Sequence, residues 1–388
     1  MIHFFKRTFL NPLQEFINDS RSIGIVLLLC TFVSIVVANS PAGLPYQQFW
    51  NMATPVVPYL QLPTTFFHWI NEGLMAIFFF LVGMEIKREL VHGELASIRK
   101  SILPVIAAVG GMLFPAIIYL LFNYHTTAAG GWGIPTATDI AFSLGIASLL
   151  GKRVPVVLKI FLTALAIIDD LGAIVVIALF YGEAIQWFYL VADVVLVAAV
   201  LFINHALKKF GVIQILLGIV LWYCTYNSGI HATIAGVIFA FLVPVRYLVY
   251  LENKIHHYVY FIIMPLFALA NTIIVFPVDG IGVLNDAMPM GIMLALAVGK
   301  PVGITTASWI MIKTKQADLP AHTNWHQLIG VGMLAGIGFT MSIFISTLAF
   351  AAPGDQDIAK MAVLVSSFFS MVMGYVWLSK VKGGNSID

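Results

Sequence analysis

Residues 130–145, GGWGIPTATDIAFSLG, and residues 156–172, VVLKIFLTALAIIDDLG, decide how this chain folds. Both are apolar enough to lie in a bilayer, yet the first carries Asp139 and the second the adjacent pair Asp169 and Asp170. A carboxylate near the middle of a membrane costs at least about 2.5 kcal/mol on insertion scales, so three of them in two consecutive helices mark a functional site. The glycines, proline and threonines ahead of Asp139 interrupt the helix. Such breaks are tolerated at membrane depth only where the freed backbone faces protein or water.

The rest of the chain fits that setting. Of its 388 residues, 60% are hydrophobic and 10% charged, against about 25% charged in soluble proteins. This is the composition of an all-α polytopic membrane protein, read here as one transporter domain over residues 1–388. Apolar runs fall at 23–38, 66–84, 103–122, 133–150, 155–180, 188–204, 212–224, 231–245, 257–276, 289–312, 328–350 and 358–379. Twelve spans are therefore expected, several shorter than the roughly 20 residues a perpendicular helix needs. Cys30 and Cys224 lie in apolar runs without ligand spacing and read as core residues. No cleavage site follows Lys6, Arg7 and Arg21, so no removable signal peptide is expected.

Lysine and arginine set the orientation, because cytoplasmic loops retain positive charge. Alternate connections carry Lys6, Arg7 and Arg21; Lys87, Arg88, Arg99 and Lys100; Lys152 and Arg153; Lys208 and Lys209; Arg246 and Lys254; Lys313 and Lys315; Lys380 and Lys382. These are 17 of the 20 basic residues, which places both termini in the cytoplasm. Lys159 and Lys360 lie near span ends, and only Lys300 is expected deep. At about 1.5 Å of rise per residue, Asp139 falls about 18 Å from Lys152, Asp169 and Asp170 about 15 Å from Lys159, and Lys300 about 20 Å from Lys313, all near the midplane.

Spans four and eleven are the most interrupted, by Gly131, Gly133, Pro135, Thr136 and Thr138 in one and Gly332, Gly336, Gly338, Thr340 and Ser342 in the other. They sit in triplets three to five and ten to twelve, which start from opposite faces. A repeat relating those triplets is inverted, a plan that places the substrate site at the repeat interface. If both helices unwind at mid-membrane, like partial charges of about half a unit face one another. Asp139 suits the positive ends and Lys300 the negative ones.

Adjacent helical residues diverge by about 100°, so Asp169 and Asp170 cannot point the same way. With the Thr138 hydroxyl and unwound carbonyls they offer hard oxygen ligands, suited to a small hard cation such as Na+ or Li+. A site where protons compete for the same oxygens is an exchanger. A purely structural ion pair with Lys300 is the competing reading, and pairing and helix-end compensation by Lys300 are not exclusive. Glu85, Lys87, Arg88 and Glu89, with Glu252, His256 and His257 on another connection, mix acids, bases and imidazoles that titrate near neutrality; Lys87, Glu94, Arg99 and Lys100 read as a solvated loop-and-cap face. His231 opens span eight, Glu72 in span two suits an outward vestibule, and Asp193 is expected at the interface.

Other classes fit less well. An intramembrane aspartyl protease takes its aspartates from separate helices, and a proton-coupled solute symporter, the main alternative, needs a roomier cavity than Ile167, Ile168, Leu171 and Gly172 leave. Gly130-Gly131-Trp132-Gly133 lacks the Lys-Ser/Thr of a phosphate loop. The basic residues are dispersed without aromatic interleaving, so no nucleic-acid partner is expected.

PTATDIAF (135–142), LKIFLTALAIIDDLGAI (158–174), GMEIKREL (83–90), SGIHATIAGV (228–237), GKPVGI (299–304) and GIGFTMSIFI (336–345) together resemble the NhaA family of bacterial sodium/proton antiporters over nearly the whole chain. The resemblance implies a twelve-helix inner-membrane antiporter with crossed, interrupted fourth and eleventh helices and no cofactor beyond the transported Na+, Li+ and H+. It implies that Asp169 and Asp170 are the essential carboxylates, with Asp170 the principal cation ligand. Thr138, Asp139 and Lys300 would complete the crossing; Glu85, Arg88, Glu89, Glu252 and His256 would act in activation at alkaline pH, and His231 in the pH response. Homodimers form in this family partly through a periplasmic hairpin. Here the 39–65 connection contains Pro55, Pro58 and Pro63 and no charge, and proline removes ladder donors. Glu72 replaces the shorter aspartate of the best-known members, and Asn253 and His257 also differ.

Overall fold

The computed structural model describes residues 20–55, 57–207, 210–276 and 280–381, and at 20, 21, 98, 99, 152, 207 and 281 the backbone alone. The expected cytoplasmic positions Lys6, Arg7, Lys208, Lys209 and Lys382 lie outside the described residues, as do the side chains of Arg21, Arg99 and Lys152 and most of the segment read for a signal peptide.

Within the described residues the chain is helical and forms no named strand. We number the main helices α1 Ser20–Ala38, α2 Gly43–Trp50, α3 Phe66–His92, α4 Ile98–Asn123, α5 Ile140–Leu149, α6 Val156–Phe180, α7 Trp187–Leu207, α8 Val212–Asn227, α9 Thr233–Leu242, α10 245–271, α11 Ala287–Lys313, α12 Trp325–Ala335, α13 Phe339–Ala349 and α14 Pro353–Lys380. Six of them, α3, α4, α6, α7, α11 and α14, are long and apolar enough to cross a membrane by themselves. Counting the bent pairs α1 with α2 (119°) and α12 with α13 (44°) brings the number to eight. The protein is thus a multi-pass membrane protein, and every one of the twelve apolar runs contains helix.

Several boundaries differ from the hydropathy reading. Helix α3 runs to His92, well past the apolar run that ends at 84, so Glu85, Lys87, Arg88 and Glu89 stand on a helix and not in a loop. The reason is local: Glu-Ile-Lys-Arg-Glu-Leu contains good helix formers, and helix propensity continues where hydropathy stops. Likewise residues 246–256, expected as a connection, lie in the polar first half of α10, Val245–Tyr258. Span four is a 3₁₀ segment, Thr127–Thr136, an extended stretch and then the ten-residue α5. In the 39–65 connection, one isolated antiparallel bridge joins Ala53 and Thr65.

Small residues set how closely the helices approach, as expected where packing rather than water drives association. A Cβ on Gly110 of α4 would meet the Gly303 carbonyl oxygen of α11 at 2.5 Å, and one on Gly83 of α3 would meet the Ala240 Cβ of α9 at 2.8 Å. Closure of α4 on α11 fixes the backbone from which Lys300 projects. Gly303→Val therefore forces backbone apart from backbone. We expect an overpacking cost of about 1–3 kcal/mol, seen as a lower melting temperature in detergent; an unchanged melt would mean that the two helices part freely.

Two further ionisable residues are buried against neighbouring helices. Asp193, six residues into α7, is buried, and its carboxylate faces the Thr225 hydroxyl at 3.2 Å across the α7–α8 contact. Lys300 is not the only buried lysine. Lys360, two turns into α14, is 5% exposed.

Candidate ion-exchange site

Two helix breaks meet at the centre of the site. The extended stretch 137–139 lies against the turn between α12 and α13, and the Asp139 amide donates to the Ile337 carbonyl at 2.7 Å. Asp139 itself is the N-cap of α5: its carboxylate accepts from the Phe142 amide at 3.1 Å. Its other oxygen accepts from the Thr340 amide at 3.1 Å and the Thr340 hydroxyl at 2.5 Å, at the start of α13. One carboxylate thus serves the positive ends of two helices, where negative charge is most stabilising.

The negative ends are served differently. Lys300 donates to the Thr136 carbonyl at 2.6 Å, closing the 3₁₀ segment, but it does not reach the end of α12. There the Leu334 carbonyl faces the Ser143 hydroxyl at 2.9 Å, which it shares with the Asp139 carbonyl at 2.7 Å, and the Ala335 carbonyl faces the Thr138 hydroxyl at 2.9 Å. Ser342 donates to the Ile134 carbonyl at 2.6 Å. Hydroxyls, not a second cation, therefore complete the crossing. The sequence reading took Thr340 and Ser342 only as marks of the break in span eleven and did not single out Ser143; the signal was a hydroxyl residue within a turn of each helix break.

Asp169 and Asp170 lie mid-way along α6 and are 0% and 3% exposed. Asp169 Oδ2 faces the Thr138 hydroxyl at 2.6 Å and Lys300 Nζ at 2.9 Å. The Thr138 hydroxyl has a single proton for two acceptors, Asp169 and the Ala335 carbonyl, so it serves one at a time. Among the described residues Asp169 Oδ1 and Asp170 Oδ1 are buried and accept no hydrogen bond. A buried charge without a partner is costly. These are the open oxygens to which a hard cation or a proton would go, and among the described residues no lysine pairs with Asp170 as Lys300 does with Asp169. Among the described residues no group of three His, Cys, Asp or Glu side chains is placed to hold a metal ion, so any cation ligated here must draw on hydroxyls, carbonyls and water as well.

The remaining candidates fall into two groups away from this centre. On α3 and α10, Arg88 pairs with Glu252 and, at 3.1 Å, with Glu89, whose other oxygen accepts from the Glu94 amide at 3.1 Å. Glu85 stands one turn before Arg88 on the same helix. Burial pushes the Glu252 carboxyl up from its ordinary range, partly offset by Arg88, and burial with the neighbouring His257 pushes the His256 imidazole down. Lys87 donates to the Phe241 carbonyl at 2.7 Å and also to Val243, capping the end of α9.

At the far ends of α6 and α8, Glu72 and His231 come together, with His231 Nδ1 3.3 Å from Glu72 Oε1. Both line a cavity of about 410 Å³ with Tyr181, Glu183, Tyr226 and Asn227. Glu72 belongs to a π-helical turn, Trp69–Leu74, within α3.

With this geometry in hand, comparison with known proteins gives one consistent result. Residues 14–378 match the family model described as Na+/H+ antiporter 1. The chain is 48% identical over 374 residues to Na(+)/H(+) antiporter NhaA 2 of Flavobacterium johnsoniae, covering 94% of this chain and 91% of that protein. It is 44% identical to Na(+)/H(+) antiporter NhaA of Shewanella loihica (95% and 97% covered) and 44% identical to Na(+)/H(+) antiporter NhaA 2 of Clostridium beijerinckii (96% and 95% covered).

Proposed function

This chain belongs to the Na+/H+ antiporter 1 family, and from that premise we propose that it is a secondary transporter, not an enzyme, that exports Na+ or Li+ in exchange for protons. The observation that carries the reading is the contrast between two adjacent buried carboxylates: Asp169 held by Thr138 and Lys300, Asp170 with an oxygen that accepts nothing. In this reading the protein resides in the bacterial inner membrane with twelve spans, crossed fourth and eleventh helices, inverted triplets three to five and ten to twelve, and both termini in the cytoplasm. It needs no cofactor beyond the transported ions.

The cycle follows from charge balance. With both carboxylates ionised, the cytoplasm-facing site takes one Na+; Asp170 is its principal ligand, and Asp169 joins as Lys300 withdraws. The paired breaks at 137–139 and 336–338 shift together, since Asp139 ties both helix starts to one side chain. The Glu72–His231 cavity is the outward vestibule. Protons entering there displace the ion, and the protonated site returns. Two protons entering for one Na+ leaving moves one net charge, worth about 2.3 kcal/mol per 100 mV. Export therefore continues at alkaline pH, where the proton gradient is small, and the Glu85, Arg88, Glu89, Glu252 and His256 cluster sets the pH at which it begins.

The test uses everted membrane vesicles with an acid interior. Na+ and Li+ should collapse the proton gradient and K+ should not, and a valinomycin clamp in K+ should alter the rate. No collapse by any alkali cation between pH 6.5 and 8.5 would remove the assignment and favour the proton-coupled symporter.

A further inference from the structure

Helix α7 carries one carboxylate, Asp193, and the exchange cycle makes no use of it. Of the apolar stretch of α7 11% is buried, so most of this helix faces outward, yet Asp193 is turned inward and is 8% exposed. Six residues of helical rise place it about 9 Å from the start of the helix. With α8 and α9, α7 builds a small apolar cluster of its own, Val200, Leu221, Ala235, Phe239 and Leu242, apart from the larger cluster that encloses the exchange centre. An ionisable group inside such a helix is a functional position by default, and its partner says what it does.

That partner is the Thr225 hydroxyl of α8, 3.2 Å from Asp193 Oδ2. The hydroxyl has one proton, and the Leu221 carbonyl one turn back takes it at 2.9 Å. A hydroxyl that donates to an ionised carboxylate closes to about 2.5–2.7 Å. The contacts of Thr340 with Asp139 and of Thr138 with Asp169 have that length, 2.5 and 2.6 Å, and the Asp193 contact does not. Among the described residues Asp193 Oδ1 accepts no hydrogen bond. The titratable side chains beside it are Tyr189, one turn earlier, whose ring meets that of Tyr223 at 6.3 Å, and Cys224; α9 carries none between Thr233 and Leu242. None of these is a cation, so an ionised Asp193 would stand buried without a committed donor, which is costly. A protonated Oδ2 instead donates to a free lone pair of Thr225. We infer that Asp193 is a second proton-binding site, outside the exchange centre: a neutral carboxylic acid whose O–H donates to Thr225 and, through it, to the Leu221 carbonyl, tying α7 to α8. When the proton leaves, two acceptors face one committed hydroxyl and the tie is lost.

Infrared spectra of purified wild type and Asp193→Asn at neutral pH test the assignment. The variant should lack one carboxylic-acid carbonyl band while the carboxylate bands cancel in the difference; loss of carboxylate intensity instead overturns the proposal. If the asparagine variant fails to accumulate, Thr225→Val decides: the acid band should shift when its O–H loses its acceptor, and a flat difference in that region overturns the proposal as well. The tie has its own readout. The folded seam holds a proton that the unfolded chain gives up to water, so the contribution of this group to stability falls as pH rises. The melting temperature of wild type should therefore drop relative to that of Asp193→Asn, whose amide N–H still donates to Thr225, between about pH 5 and pH 8. Parallel curves overturn the tie. Na+-driven exchange by Asp193→Asn should match wild type, because the cycle does not move this proton; lost exchange in a variant of wild-type stability would place Asp193 in the cycle and overturn the claim of a separate site.

Discussion

Asp170→Asn is expected to abolish Na+- and Li+-driven proton exchange, by at least about a hundredfold, while leaving thermal stability unchanged or raised. The loss follows from chemistry. An amide neither gives up a proton in the working range nor offers a charged ligand, and charged hydrogen-bonding and coordinating groups are worth about twice their neutral counterparts. The stability argument is separate and less intuitive. Asp170 is 3% exposed and its Oδ1 accepts no hydrogen bond among the described residues, so the ionised side chain is a cost to the folded protein. Removing that charge removes the cost. Transport measured in vesicles, with a melt of the same variant in detergent, checks both halves. An inactive variant that also melts well below wild type would make Asp170 a structural residue.

Lys300→Ala is expected to do the opposite to stability. Lys300 is fully buried, pairs with Asp169 at 2.9 Å and donates to the Thr136 carbonyl at 2.6 Å. Truncation leaves a carboxylate and a helix-end carbonyl unpaired in the interior, and breaking one side of a buried ion pair costs about 3–5 kcal/mol. The melting temperature should fall sharply. Adding Asp169→Asn should recover a large part of the loss, since the orphaned charge is then gone and the asparagine can still accept from Thr138. If the double variant melts as low as the single one, Lys300 stabilises through the helix end alone.

The centre of the site was readable because membranes make charges conspicuous. Asp139, Asp169, Asp170 and Lys300 stand out against apolar runs, and glycine with proline marks the breaks, so spacing alone placed them at one depth. What the sequence concealed was the division of labour at the crossing. A serine or threonine in an apolar helix gives no sign of which carbonyl it will meet, so the parts played by Ser143, Thr340 and Ser342 required coordinates. Helix ends were concealed for a related reason: hydropathy stops at the membrane surface and helix propensity does not, which is why Glu85 to Glu89 read as loop and fold as helix. The partner of Asp193 was not legible, because Thr225 is 32 residues away on a neighbouring helix. Glu72 and His231 carried separate weak signals, and only the fold shows that they face each other.

The central claim is that a cation and protons compete for the same carboxylates. The most direct measurement is proton release from purified protein in a weakly buffered detergent solution when Na+ is added. Addition at a pH where the site is partly protonated should release protons in a saturable way, with Li+ acting alike, K+ giving none and Asp170→Asn giving none. Apparent Na+ affinity should fall as the starting pH is lowered. Saturable Na+ binding with no proton release at any pH, or release that persists in Asp170→Asn, would contradict the account.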